Sequence, residues 1–192
     1  QPMEERKVNI SRARYSIDYP ANFMLVASMN PCPCGYYNHP EKDCVCGPGI
    51  VHKYLNKISG PLLDRIDLHV EVTPVPFSEL SKAQSAESSK DIRERVIKAR
   101  QLQTERYKTS DGIYCNAQMR TKDLRTYCSL DEASSSLLKT AMERLGLSAR
   151  AYDRILKVAR TIADLDASVN IQTNHIAEAI QYRSLDREGW AG

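Results

Sequence analysis

Apolar and polar residues follow two rhythms along this chain, and the change comes near residue 90. Up to Val72 the spacing is strand-like. Val8 and Ile10, then Tyr15, Ile17 and Tyr19, alternate with polar neighbours, which predicts a hairpin turning around residues 11–14. Residues 23–28 are an apolar run and predict a short strand buried on both faces. Leu68, Val70 and Val72 alternate with His69 and Glu71, predicting a further strand. Pro74, Pro76 and a Ser-, Ala- and Lys-rich stretch then read as a linker.

Beyond the linker the period becomes helical. Ser88 and Asp91 predict a capping box before Ile92, Val96, Ala99 and Leu102. A short helix is predicted after Thr121. Ser129 and Glu132 predict a second capping box, ahead of Ala133, Leu137, Leu138, Ala141 and Leu145, with Gly146 as the stop. Ser148 is expected to cap a helix burying Tyr152, Ile155, Leu156, Ala159, Ile162 and Ala163, and Thr173 one burying Ile176, Ala177 and Ile180. The expected fold class is an α/β segment followed by an all-α helical domain, mostly α overall. Its parts are residues 1–75, a linker over 76–90 and the helical domain over 91–192.

Composition narrows the class without naming it. At 192 residues, 42% apolar and 27% charged, the chain can bury a core, and it shows no repeat of fixed period. Its longest apolar run, residues 23–27, is far short of the roughly 20 residues a membrane helix needs, so no membrane partner is expected. Neither a basic nor an apolar region opens the chain, so no signal peptide is read and a cytoplasmic location is expected. A start at Gln1 gives the expectation of a piece of a longer protein. Charge is uneven: residues 1–75 balance eight basic against eight acidic side chains, whereas residues 90–125 hold ten against five. That local excess suits a phosphate backbone, although a solvated helix face laced with ion pairs has the same composition.

Three positions suggest chemistry. Asn30, in Ser28-Met29-Asn30-Pro31, follows the apolar run, where α/β sheets bind ligands; Asn-Pro is also an ordinary turn. Arg65, in Gly60-Pro61-Leu62-Leu63-Asp64-Arg65-Ile66-Asp67-Leu68, follows a short helical turn and precedes a strand-like run. It can reach outward, or pair locally with Asp64 or Asp67. Arg150, in Leu147-Ser148-Ala149-Arg150, opposes the dipole at the first turn of a helix, so it either binds an external anion or points into solvent.

Together with Ile10-Ser11-Arg12-Ala13 and Asn30-Pro31-Cys32-Pro33-Cys34-Gly35, these segments resemble the magnesium-chelatase-like branch of the AAA+ ATPases. The similarity runs nearly end to end, through Gln181-Tyr182-Arg183-Ser184-Leu185-Asp186-Arg187. The resemblance implies that Asn30 is the sensor-1 Asn, Arg65 the trans-acting arginine finger and Arg150 the sensor-2 Arg. It places Arg12 on a hairpin that faces DNA in related helicase rings. It also implies ATP with Mg2+ as cofactors, a hexameric homo-oligomer, and DNA as partner in branch migration during natural transformation. A subunit of a magnesium chelatase, or a non-enzymatic zinc-stabilised module binding DNA or protein, is the alternative.

No G-x-x-x-x-G-K-[ST] occurs in the sequence, nor an apolar strand ending in an acidic pair. The family carries both upstream, so the expectation is the second half of an AAA+ core plus the helical lid, inactive toward ATP on its own. In the family the strands corresponding to residues 23–28 and 68–72 flank the strand before the phosphate loop. Without it their edges lack partners, so residues 91–183 are expected to be the well-packed part.

Cysteine usage adds a last candidate. Cys32, Cys34, Cys44 and Cys46 lie within fifteen residues, with Cys115 and Cys128 apart. Four thiolates match the tetrahedral preference of structural Zn2+, and a small polar loop gains most from a metal clip. His39 and His52 are available substitutes. The C-x-C spacing departs from the usual C-x₂-C knuckle, and free or oxidised thiols are the alternative.

Overall fold

A computed structural model of the chain describes residues 2–75 and 87–183. Most of the linker and the end of the motif after Arg183 therefore lie outside the described residues. The described part is mostly helical, with one two-stranded sheet.

After a helical turn, α1 (Pro2–Glu5), the expected hairpin forms from β1 (Lys7–Arg12) and β2 (Tyr15–Pro20). Its antiparallel register runs from Lys7 opposite Pro20 to Arg12 opposite Tyr15, leaving Ala13 and Arg14 as the turn. One face carries a polar ladder: Asn9 donates to Ser16 Oγ at 2.8 Å and to Asp18 Oδ1 at 2.7 Å. On the other face Ile10 lies opposite Ile17 and both are half exposed, so cross-strand pairing rather than burial holds this element.

Neither predicted strand beyond the hairpin forms. Residues 21–30 and 68–75 are in neither helix nor strand, with Met24 and Val72 each 87% exposed. A strand exists only by pairing its backbone groups with a neighbour, and among the described residues no segment pairs with either run in a sheet. Between them come a cysteine-bearing loop, α2 (Pro48–Leu55) and α3 (Gly60–Leu63), each helix opening with proline in its first turn.

The helical domain consists of α4 (Ser89–Tyr107), a 3-10 turn (Asn116–Gln118), α5 (Thr121–Tyr127), α6 (Glu132–Leu145), α7 (Ala149–Leu165) and α8 (Thr173–Gln181). Helix α7 is central, packing against α4, α5 and α8. Its buried stripe includes Ala151, Ile155, Leu156, Ala159 and Ala163, close to the predicted face except for Tyr152, which is exposed. Full burial of Ile155 and Ile176 contributes about 1.5–3 kcal/mol each.

Caps and faces depart from expectation in three places. Asp131, not Ser129, caps α6, its carboxylate accepting from Ser134 N at 2.8 Å, because Asp131 directly precedes the helix. Gln172 rather than Thr173 occupies the cap of α8. There Gln172 N donates to His175 Nδ1 at 3.0 Å, while the Thr173 hydroxyl is engaged with Ser134 Oγ on α6. On α4 the buried residues are Ala99, Gln103 and Tyr107, whereas Ile92, Val96 and Leu102 stay exposed. Ser88, Gly146 (φ +61°) and Ser148 fill the capping roles expected of them.

Candidate functional site

The cysteine loop is built around a sulfur cluster. Gly35, at φ +83°, reverses the chain after Cys34, and Gly35 N donates to Cys32 O at 3.0 Å. The turn sets Cys32 Sγ 3.3 Å from Cys34 Sγ, and Cys44 Sγ lies 3.6 Å from each. All four sulfurs, Cys46 included, fall within 4.8 Å of one another. Four sulfurs about 2.3 Å from a central zinc would lie about 3.8 Å apart, so the set fits a tetrahedral ion with little adjustment. Val51 and Leu55 of α2 pack on the cluster and, with Cys32, form a small core of their own.

Neither histidine joins the sulfurs. His39 Nδ1 accepts from Glu41 N and Lys42 N, both at 3.1 Å, and so caps the turn between the two cysteine pairs. His52 interacts with Asn56 one helical turn away. Charge within the cluster is unevenly shared. The Tyr36 N–H pointing at its sulfur lowers the Cys34 thiol to about 6. Although the Cys46 N–H points at Cys44, burial and the neighbouring thiols push Cys44 up to about 12. A first thiolate is favoured and a second opposed, a repulsion that a divalent cation removes.

Arg65 stands on α3's exit, and its Nη1 donates to Pro61 O at 2.8 Å. The two acids considered as its local partners are engaged elsewhere. Asp64 accepts from Ser148 Oγ at 2.9 Å and lies 3.6 Å from Arg183, while Asp67 pairs with Arg154 of α7. These contacts dock the segment carrying Arg65 onto the start of α7, the helix that carries Arg150. Arg150 is exposed in the first turn of α7, two residues after the Ser148 cap. Asn30 is exposed beside an open, mostly polar depression that it lines with Ser28, Met29 and Tyr54. Arg12 is exposed where β1 enters the hairpin turn. Among the described residues no hydrogen bond or ion pair joins Asn30 or Arg12 to Arg65 or Arg150.

Sequence patterns missed the tie itself. Asp64 and Arg183 lie 119 positions apart, and Arg183 is only 1% exposed. No local pattern signals it, because the burial of Arg183 follows only from the partners it reaches across the fold. His69 is likewise buried, its N–H donating to Tyr182 O at 2.8 Å and its Nε2 lying 3.2 Å from Leu63 O. The basic stretch 90–125 is partly neutralised: Arg106 pairs with Asp164, Arg95 with Glu87 and Arg120 with Asp123.

An α-helical domain that receives a Gly-Pro-x-x-Asp-Arg segment at a helix start, preceded by a four-cysteine loop, defines the class of chain. The family model for magnesium chelatase, subunit ChlI, matches residues 1–80, and that for its C-terminal region matches residues 86–183. This chain belongs to the magnesium chelatase ChlI family. Among curated relatives, the competence protein ComM of Haemophilus influenzae is 42% identical over 97% of this chain and 36% of the relative. The uncharacterized protein YifB of Escherichia coli is also 42% identical, with the same coverage. A mycobacterial relative, the uncharacterized protein Mb2921c of Mycobacterium bovis, is 35% identical over 95% of this chain and 35% of its own length. The chain thus spans about a third of the length of these relatives. Among the described residues no helix is long and apolar enough to cross a membrane.

Proposed function

We propose that this chain is the C-terminal part of an ATP-dependent motor acting on DNA, of the kind expected for a ComM-like protein. In this reading residues 1–75 end an AAA+ core and residues 91–192 are its helical lid. The whole protein would be a cytoplasmic hexamer that uses ATP and Mg2+. The observation that carries the reading is the docking of the Arg65 segment onto the start of the helix bearing Arg150. Docked in this way, the segment and the helix carry a half-exposed Arg65 and an exposed Arg150, which a subunit needs if it is to serve two nucleotides at once.

Bound ATP would supply the phosphoanhydride whose cleavage drives movement. Arg150 would engage the phosphates held by its own subunit, and Arg65 those held by the neighbour. Positive charge delivered in this way is worth roughly 10³–10⁵ in rate. Asn30 would orient water through an amide that both donates and accepts. The hairpin residue Arg12 would touch the DNA backbone, with the exposed cations Lys90, Arg93, Lys98 and Arg100 of α4 available to add to that contact. Without a phosphate-cradling loop in its sequence, the chain alone is expected to hydrolyse no ATP.

Cys32, Cys34, Cys44 and Cys46 would hold a structural Zn2+ that fixes the loop following Asn30. Support comes from four sulfurs already gathered to near-tetrahedral separations. Metal analysis of the purified chain should find one zinc per chain, with Cys115 and Cys128 as its only unliganded thiols. Absence of zinc together with four reactive thiols in the loop is the contrary result.

The motor reading is tested in the full-length protein by Arg65→Ala. ATP turnover should fall by about 10³-fold, with nucleotide binding retained. Undiminished turnover would remove Arg65 from the site.

A further inference from the structure

Residues 60–69 carry Arg65 but have almost no core of their own, Leu63 being the only buried side chain of α3. Their position is set by the helical domain. Arg183 donates to the carbonyls of Ile66 and Asp64 and lies 3.6 Å from the Asp64 carboxylate. Arg154 of α7 pairs with Asp67. Tyr182 O receives the N–H of His69 at 2.8 Å. The fourth tie differs in kind. Ser148 Oγ donates to Asp64 Oδ1 at 2.9 Å and, with the same oxygen, accepts from Ala151 N at 3.1 Å. One hydroxyl thus joins the start of the Arg150 helix to the residue next to Arg65.

We propose that Asp64 is a positioning residue which, through Ser148, couples Arg150 to Arg65. The inference rests on the motor reading above, in which these arginines serve two different nucleotides. A shift of the first turn of α7 when Arg150 gains or loses its anion is passed to Asp64 and displaces Arg65 at the adjoining site. Hydrolysis in one subunit thereby responds to occupancy in the next. The hydroxyl is suited to this because it cannot keep both bonds if the helix start rotates away from α3.

The test uses the full-length protein and steady-state ATP hydrolysis. Asp64→Ala removes the acceptor while leaving Ser148 free to cap α7. Ser148→Asp retains a good capping residue and sets a second carboxylate against Asp64. Each should lower kcat by about tenfold or more, the scale of a misplaced catalytic group, and reduce the Hill coefficient toward one, with KM for ATP within about twofold. Combining Ser148→Asp with Asp64→Asn replaces the repulsion by an amide-to-carboxylate hydrogen bond and should restore kcat to within about threefold. A purely structural role would lower thermal stability and leave the Hill coefficient unchanged, which overturns the proposal. So does wild-type kcat in both single variants, or a double variant no better than Ser148→Asp alone. Arg65→Ala run in parallel separates the two levels. If it abolishes turnover while the Asp64 and Ser148 variants are neutral, the coupling alone fails. If it too is neutral, the motor reading fails and the coupling with it.

Discussion

The carboxylate of Asp164, on the buried stripe of α7, receives Arg106 at 2.7 and 2.5 Å, Arg160 Nε at 3.2 Å and the Asn116 amide at 2.8 Å. Arg160 also donates to the carbonyls of Ser168 and Val169, closing the turn after α7. Asp164→Ala would leave two guanidinium groups with little access to water and no counter-charge, a loss of about 3–5 kcal/mol. Urea unfolding of the chain should show it as a drop in midpoint with little change in slope. The spacing of Arg160 and Asp164 is that of a helical ion pair on the apolar stripe, so the pair was open to sequence reading. Arg106, 58 positions from Asp164, was not. At Gly146 the left-handed φ of +61° closes α6, and Gly146→Ala should cost about 1 kcal/mol in the same assay. Cys128 is buried in the core, which pushes its thiol up to about 12 and leaves it a poor nucleophile, so it should resist alkylation until the helices unfold.

Helix ends explain how far local rules reach. Ser88, Ser148 and Gly146 cap where the sequence predicts, because a cap acts within one turn of its own helix. At Ser129 and Thr173 a neighbour competes and takes the cap, Asp131 in the first case and Gln172 in the second. The Asp131 carboxyl lies below its ordinary 3.8 because the Ser134 side chain and backbone donate to it. A folded-state value below the unfolded one gives stability that is present above pH 3.8 and is lost as pH falls through the folded value. Asp131→Asn keeps an amide oxygen as cap and should flatten that part of the acid limb in pH-dependent thermal melts. Among the described residues the buried apolar support of the cysteine loop is Val51 and Leu55 of α2. Chelation of zinc should therefore raise amide exchange across residues 31–55 while leaving the helical domain unchanged. Uniform protection after chelation would argue that the loop holds itself.

Across the described residues the larger core belongs to the helical domain, from Tyr107 to Ala179, and the cysteine loop keeps a small separate one. Amide exchange should be slowest in α7 and α8 and fast over residues 22–30 and 70–75, whose apolar side chains face outward. Strong, uniform protection of those runs would show a partner surface that this structure does not supply. The apolar runs at 23–28 and 68–72 were legible as strand-formers, but a strand is a relation between two segments and residue type supplies only one of them. Helices and the tight hairpin could be read directly, since their hydrogen bonds close within a few residues and the side-chain period records which face is covered. The same holds for the four cysteines as a set, which sequence spacing alone brings near one another. The meeting of Asp64 with Ser148 across 84 positions, and of Arg183 with the Arg65 segment, depends on the path of the chain between them. No local pattern encodes that path, because it is fixed by which faces of α7 and α8 remain after the core has closed.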